Sequence, residues 1–170
     1  MVEIVFTEED RRVAIAEAER RQADNERKGV RGRQLAPERG QQAQRLHYYG
    51  AAGELAVASF LGLRRYLYLE RNPVRGSSDL PFDIDVKTRS NHSYDLLLFP
   101  DYEISKNYVL VTIQNRRIYL HGFIHGSLVE QIATPIEYVQ NRKGLAVKQK
   151  DLYPVEALLE YINENHYELF

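Results

Sequence analysis

The sequence predicts an α+β (α/β layered) domain, and three observations carry that expectation. Capped, helix-forming segments fill the chain up to about residue 62. From Arg65 the apolar period shifts from that of a helix to that of a strand. A last amphipathic segment follows Tyr153-Pro154. Helix, helix, a run of strands and a closing helix is an order that helices layered on a sheet accommodate.

Thr7, followed by Glu8, Glu9 and Asp10, marks the first helix start. A hydroxyl cap and first-turn acids satisfy free N–H groups and the helix dipole. That helix runs to about Arg27, and Lys28-Gly-Val-Arg-Gly32 breaks it. A second helix begins near Ala36-Pro37 and stops at Gly62, a residue suited to a helix end. Its small residues Gly50, Ala51, Ala52, Gly53 and Ala56 let it sit close against a sheet. Glycine costs helix stability, so two of them here imply close packing or close approach of a ligand. Tyr66 to Leu69 is strand-like, and 72–78 is loop. Strands follow over Phe82 to Lys87, Tyr94 to Phe99 and Tyr108 to Ile113. Gln114-Asn115-Arg116 turns the chain into a partner strand from Arg117 to Ile124. The chain from there to Tyr153 reads as irregular.

The 170 residues suit one domain with an N-terminal addition: a helical extension over 1–34 and a main domain over 35–170. Apolar residues make up 44%, enough for a core. The absence of cysteine excludes disulfide frameworks, thiolate zinc sites and cysteine nucleophiles. No basic region leads into a long apolar stretch at the N-terminus, and no apolar run nears the roughly 18 residues that span a bilayer. A cytoplasmic location without membrane contact is the expectation. Net charge is −1, yet 20–45 holds eight basic residues against three acidic, a local excess of five. Such a patch can contact phosphates, although a solvated helix face has the same composition.

In the run Asp79-Leu-Pro-Phe-Asp-Ile-Asp-Val-Lys87, alternation puts Phe82, Ile84 and Val86 on one face and Asp83, Asp85 and Lys87 on the other. A carboxylate beside an ammonium is what phosphodiester hydrolysis needs. The carboxylate holds a hard divalent cation, and the ammonium orients water or offsets charge on the phosphoryl oxygens. One carboxylate is a poor Mg²⁺ site. A tight reversal through Leu80-Pro81 brings Asp79 to Asp85, and Glu54 on the second helix can reach the same ion. Asp83 is the alternative to Asp79. Asp79 is preferred because a residue two along one strand points parallel to Asp85 and does not converge on it.

Gly53-Glu54 on a helix, then Asp79, then Asp85-Val-Lys87 followed by Thr88-Arg89, resembles the PD-(D/E)XK, or restriction-endonuclease-like, nuclease superfamily. The likeness covers 45–126 and extends to small phage-type members, through the helix ending Leu61-Gly62 and the strand ending His121-Gly-Phe-Ile-His-Gly126. The resemblance implies an αβββαβ core with a mixed central sheet, and a deoxyribonuclease acting on DNA with Mg²⁺, for which Mn²⁺ substitutes. It implies Asp79 and Asp85 as metal ligands, Glu54 as an accessory ligand and Lys87 as catalytic. Ser78 stands where the family has proline, and the Asp79–Asp85 interval is short for it. Paired cuts on duplex DNA would come most simply from a homodimer. The alternative is a catalytically inactive nuclease fold serving as a nucleic-acid-binding or assembly subunit. A third possibility is a helix pair that mediates oligomerisation beside an incidental acidic strand.

Other candidates are weaker. His121 and His125 would lie about 13 Å apart on a strand, too far for one zinc ion. Ser77 and Ser78 lack a nucleophile-elbow context. Tyr48, Tyr49, Tyr66 and Tyr68 have the spacing of half-buried packing residues more than of base-stacking ones.

Overall fold

The computed structural model describes residues 1–29, 41–63, 78–138 and 142–165. The expected strand Tyr66–Leu69, the helix start near Ala36-Pro37, Ser77 and the basic residues Arg31, Arg33 and Arg39 lie outside the described residues.

The chain opens with a short strand, β1 (Val2–Ile4), then helices α1 (Glu8–Lys28) and α2 (Gln41–Phe60). Strands β2 (Ile84–Arg89), β3 (Leu96–Leu98), β4 (Asn107–Gln114) and β5 (Arg117–His125) follow. The end of the chain holds helix α3 (Gly126–Ile132), strands β6 (Thr134–Tyr138) and β7 (Arg142–Val147), a 3-10 turn (Gln149–Asp151) and helix α4 (Val155–Asn165). The mixture of helices and a mixed sheet fits the α+β class.

Helix α1 begins where its cap residues dictate. The Asp10 N–H donates to Thr7 Oγ1 at 3.1 Å, and the Thr7 N–H donates to Asp10 Oδ2 at 2.8 Å. This reciprocal box satisfies two N–H groups that the first turn otherwise leaves free. The helix ends at Gly29, whose φ of 61° suits glycine. Helix α2 lies between α1 and the sheet, so it is buried on most sides: Ala51, Ala52, Leu55, Ala56, Val57 and Ala58 are all inaccessible.

One sheet runs in the order β1-β5-β4-β2. Strand β4 is parallel to β2 and antiparallel to β5, and β1 pairs antiparallel with β5. Strand β4 is buried along nearly its whole length because both faces are covered. Val109, Val111 and Ile113 join the core under α1, α2 and α4. Tyr108 and Leu110 join a second core with Leu96, Leu98, Ile124, Val129 and Val147. That second core lies against an antiparallel sheet of order β3-β7-β6.

Several expectations need correction. The strand expected from Phe82 starts at Ile84, because Phe82 (φ 64°) and Asp83 (φ 54°) are left-handed and form a turn. The segment after Ile124 is regular in large part. Its alternation is weak because β6 is an edge strand containing Pro135 and β7 opens with two cationic residues. Strand β1 is too short to show a period. It pairs with β5, and Phe6 and Ala14 enter the main core. Among the described residues, no helix is long and apolar enough to cross a membrane.

Candidate active site

Three elements bring the predicted residues into one neighbourhood. The first is the reversal ahead of β2. Leu80 and Ile84 bridge across the turn, with the Leu80 N–H donating to the Ile84 carbonyl at 3.0 Å. The left-handed residues of the turn are held by Asn107, whose Nδ2 donates to the Phe82 carbonyl (3.3 Å) and whose N–H donates to the Asp83 carbonyl (2.8 Å). A left-handed Phe and Asp together store backbone strain, which needs such support to persist. The reversal carries Asp79 back alongside β2, where its Oδ2 accepts the Val86 N–H at 2.7 Å. Val86 is the residue between Asp85 and Lys87. Asp83, the alternative ligand, lies exposed in the turn, where its Oδ1 accepts from Ser78 Oγ at 3.5 Å.

The second element is β2 itself, the last strand beside β4 among the described residues. Asp85 and Lys87 form an ion pair, with the Lys87 ammonium also 5.5 Å from the centre of the Tyr108 ring. The third element is α2. A Cβ at Gly53 would stand 1.9 Å from Thr88 Oγ1, so α2 lies against β2 as only glycine allows. The next residue, Glu54, is therefore delivered to the edge of β2.

The electrostatics show the convergence. The Asp79 carboxyl is pushed up to about 7, first by burial and then by the charges of Glu54 and Asp85, with the Val86 N–H and Lys87 opposing. Two further residues, which the sequence did not single out, enter the neighbourhood. Arg21 of α1 donates from both terminal nitrogens to Glu54, at 2.8 and 2.6 Å, while its Nε donates to Glu17 at 2.8 Å. Burial works against the guanidinium charge, yet Glu54 and Glu17 hold it more firmly protonated than usual. Lys106 likewise stays charged against burial, through its 2.7 Å bond to Glu103 and the nearby Asp85. Spacing in sequence could not reveal either residue. Arg21 is 33 positions from its partner, and Lys106 reads as a polar residue before a strand.

The expected cationic patch over 20–45 is partly self-neutralised. Arg20 pairs with Glu17 at 2.7 Å and Asp24 at 3.2 Å, and Arg27 pairs with Asp24. The helical spacing of three and four residues brings these charges together. Tyr48 and Tyr49 pack half-buried against the main core. His121 sits at a bulge where β5 holds one residue more than β4, and its Nε2 meets Thr112 Oγ1 at 2.7 Å. His125 caps α3 through Ser127.

The donor chemistry of Glu54, Asp79 and Asp85 suits a hard cation: three carboxylates, and neither thiolate nor imidazole. Their crowding leaves an excess of negative charge, visible in Asp79, that a divalent ion would relieve. In this structure each carboxylate turns to a protein partner, Glu54 to Arg21, Asp79 to the Val86 N–H and Asp85 to Lys87. Among the described residues, no three acid or histidine side chains are already gathered as a metal site. Comparison of the chain with protein-family models, curated proteins and solved structures finds no match.

Proposed function

We propose that the protein is a metal-dependent nuclease that hydrolyses DNA phosphodiester bonds. The observation that carries the reading is the Asp79–Val86 hydrogen bond, 2.7 Å long, which sets a second carboxylate beside the Asp85-Val-Lys87 strand. Asp79 and Asp85 would hold Mg²⁺ or Mn²⁺, with Glu54 assisting. When bound, the cation would polarise the phosphoryl group and lower the pKa of water. Lys87, ion-paired with Asp85, orients the attacking water or offsets charge on the phosphoryl oxygens. Lys106, near Asp85, adds positive charge where phosphate would lie. The protein acts from the cytoplasm, and a symmetric dimer would serve paired cuts on duplex DNA.

The purified protein should nick or degrade DNA with Mg²⁺ or Mn²⁺. Lys87→Ala should lower the rate by about a hundredfold or more with little change in thermal midpoint. Equal cleavage by that variant would sink the assignment.

One observation favours a second reading, a nuclease fold kept for binding or assembly. Both Glu54 oxygens accept from Arg21, an arrangement that serves structure without metal. Calorimetric titration with Mn²⁺ separates the two. Binding at millimolar or tighter supports the enzyme, whereas DNA affinity with no metal binding supports the module.

A further inference from the structure

The face of β2 that carries Asp85 and Lys87 continues to Arg89, because side chains two apart on a strand share a face. Four strand residues span about 13 Å, so Arg89 stands that far along β2 from Asp85. Its guanidinium lies over the Tyr94 ring, 4.9 Å from the centroid. Among the described residues, Arg89 has no carboxylate in ion-pair reach, so the donors along the guanidinium edge remain available. Tyr94 is 44% exposed.

The turn that presents Tyr94 is fixed from several sides. The Tyr94 N–H donates to the Asn91 carbonyl at 3.2 Å, and Asn91 Oδ1 accepts from the Ser93 N–H and Oγ at 2.9 and 2.8 Å. The His92 N–H donates to Gln114 Oε1 at 3.1 Å. Gln149 Nε2 donates to the carbonyls of His92 and Tyr94 at 2.7 and 2.8 Å, and the Gln149 N–H donates to Asp95 Oδ1 at 3.1 Å. Packing alone does not require an exposed aromatic to be held this firmly. A flat ring with a cation over one face, preorganised at the surface, is suited to stacking a base on its other face and pairing with the phosphate.

We infer that Arg89 and Tyr94 form a nucleotide-binding step that takes an unpaired nucleotide of the substrate strand, with the base against Tyr94 and the phosphate on Arg89. The inference rests on the nuclease reading for its place in the reaction, and it names a single-stranded or frayed substrate. Bases in an intact duplex are stacked on one another, so a tyrosine platform gains little from them. The same residues bind without metal, since neither belongs to the carboxylate cluster.

Fluorescence anisotropy in EDTA, with a labelled single-stranded oligonucleotide of about a dozen thymidines and a blunt duplex of equal length, reads the step directly. The full chain should bind the single strand more tightly than the duplex. Tyr94→Ala should weaken single-strand binding by about five- to a hundredfold, and Tyr94→Phe should retain it, because the ring and not the hydroxyl carries the stacking. Arg89→Ala should weaken binding to both and reduce the slope of log affinity against log salt by about one. Unchanged affinity in Tyr94→Ala, equal loss in Tyr94→Phe, tighter binding to the duplex, or no binding by the parent chain would each overturn the inference. The two readings fail separately. Oligonucleotide binding with this mutational pattern but no cleavage in Mn²⁺ removes the nuclease and keeps the nucleotide step. Cleavage in Mn²⁺ with a Tyr94→Ala variant that binds like the parent removes the step and keeps the nuclease.

Discussion

Asp79 and Asp83 lie four positions apart in one turn, yet their surroundings differ in kind. Asp79 is turned inward, accepts the Val86 N–H and feels Glu54 and Asp85. Asp83 is exposed and left-handed, a conformation that glycine adopts without strain. Asp83→Gly should therefore leave metal binding and cleavage intact and raise stability by about 0.5–1 kcal/mol. Asp79→Asn should abolish both, while its side-chain oxygen still accepts from Val86. The metal-free proteins should also differ in pH dependence. Folded Asp79 titrates near 7 against the usual 3.8, so between these values the folded protein keeps a proton that the unfolded chain has lost. Its contribution is full below about pH 4 and falls as pH rises to about 7. Chemical denaturation in EDTA at pH 5 and pH 8 should show that fall in the parent and a smaller one in Asp79→Asn. A flat parent profile would mean that Asp79 is neither buried nor crowded by Glu54 and Asp85. Alternation alone grouped Asp83 with Asp85. The left-handed turn that separates them carries no glycine or asparagine to announce it, and depends on Asn107 more than twenty residues away.

Helix α2 and strand β2 meet at a contact that the sequence advertised in part. Two glycines in a helix otherwise rich in alanine implied close approach, and Gly53 packs on Thr88 at a distance no other residue allows. The partner strand and the consequence for Glu54 were not legible, since both depend on the register in which the helix crosses the sheet. Adding a methyl group at Gly53 would force α2 away from β2. Gly53→Ala gains about 1 kcal/mol of helix propensity but overpacks a stiff, β-branched neighbour, at a cost of about 1–3 kcal/mol. The net expectation is destabilisation, with weakened Mn²⁺ binding as Glu54 is displaced. Thr88→Ala removes the clashing hydroxyl and methyl groups, and that hydroxyl has no hydrogen-bond partner among the described residues. The double variant should recover most of the loss in both measurements, giving a coupling of about 1 kcal/mol or more in a double-mutant cycle. Strictly additive losses would show that the two residues do not touch.

Across the whole molecule, what the sequence revealed were features written over short distances: the cap at Thr7, the apolar run of β4, the turn at Asn115-Arg116 and the succession of the two long helices, the strands β2 to β5 and the closing helix. What it hid was every pairing between distant segments: β1 on β5, the second sheet built from β3, β7 and β6, and Arg21 on Glu54. A bidentate ion pair between residues 33 positions apart leaves no periodic trace. That pair ties the N-terminal helix to the candidate site. Its strength comes from geometry as much as charge, because the fork of the guanidinium matches both carboxylate oxygens and Glu17 holds the fork in place. Arg21→Ala would leave Glu54, 8% exposed, as an unpaired carboxylate beside Asp79, which should cost about 2 kcal/mol. Arg21→Lys should recover only part of the loss, since a single ammonium cannot span both oxygens. A divalent ion that binds at the carboxylates supplies the same missing charge. Millimolar Mn²⁺ should therefore raise the thermal midpoint of Arg21→Ala by more than it raises that of the parent, through linkage of binding to folding. Equal shifts would mean that Arg21 does not influence the metal position, and no shift in either protein would count against a metal site at these carboxylates. A larger shift in the variant would make α1 part of the site, its arginine holding in the metal-free protein a carboxylate that the cation shares once bound.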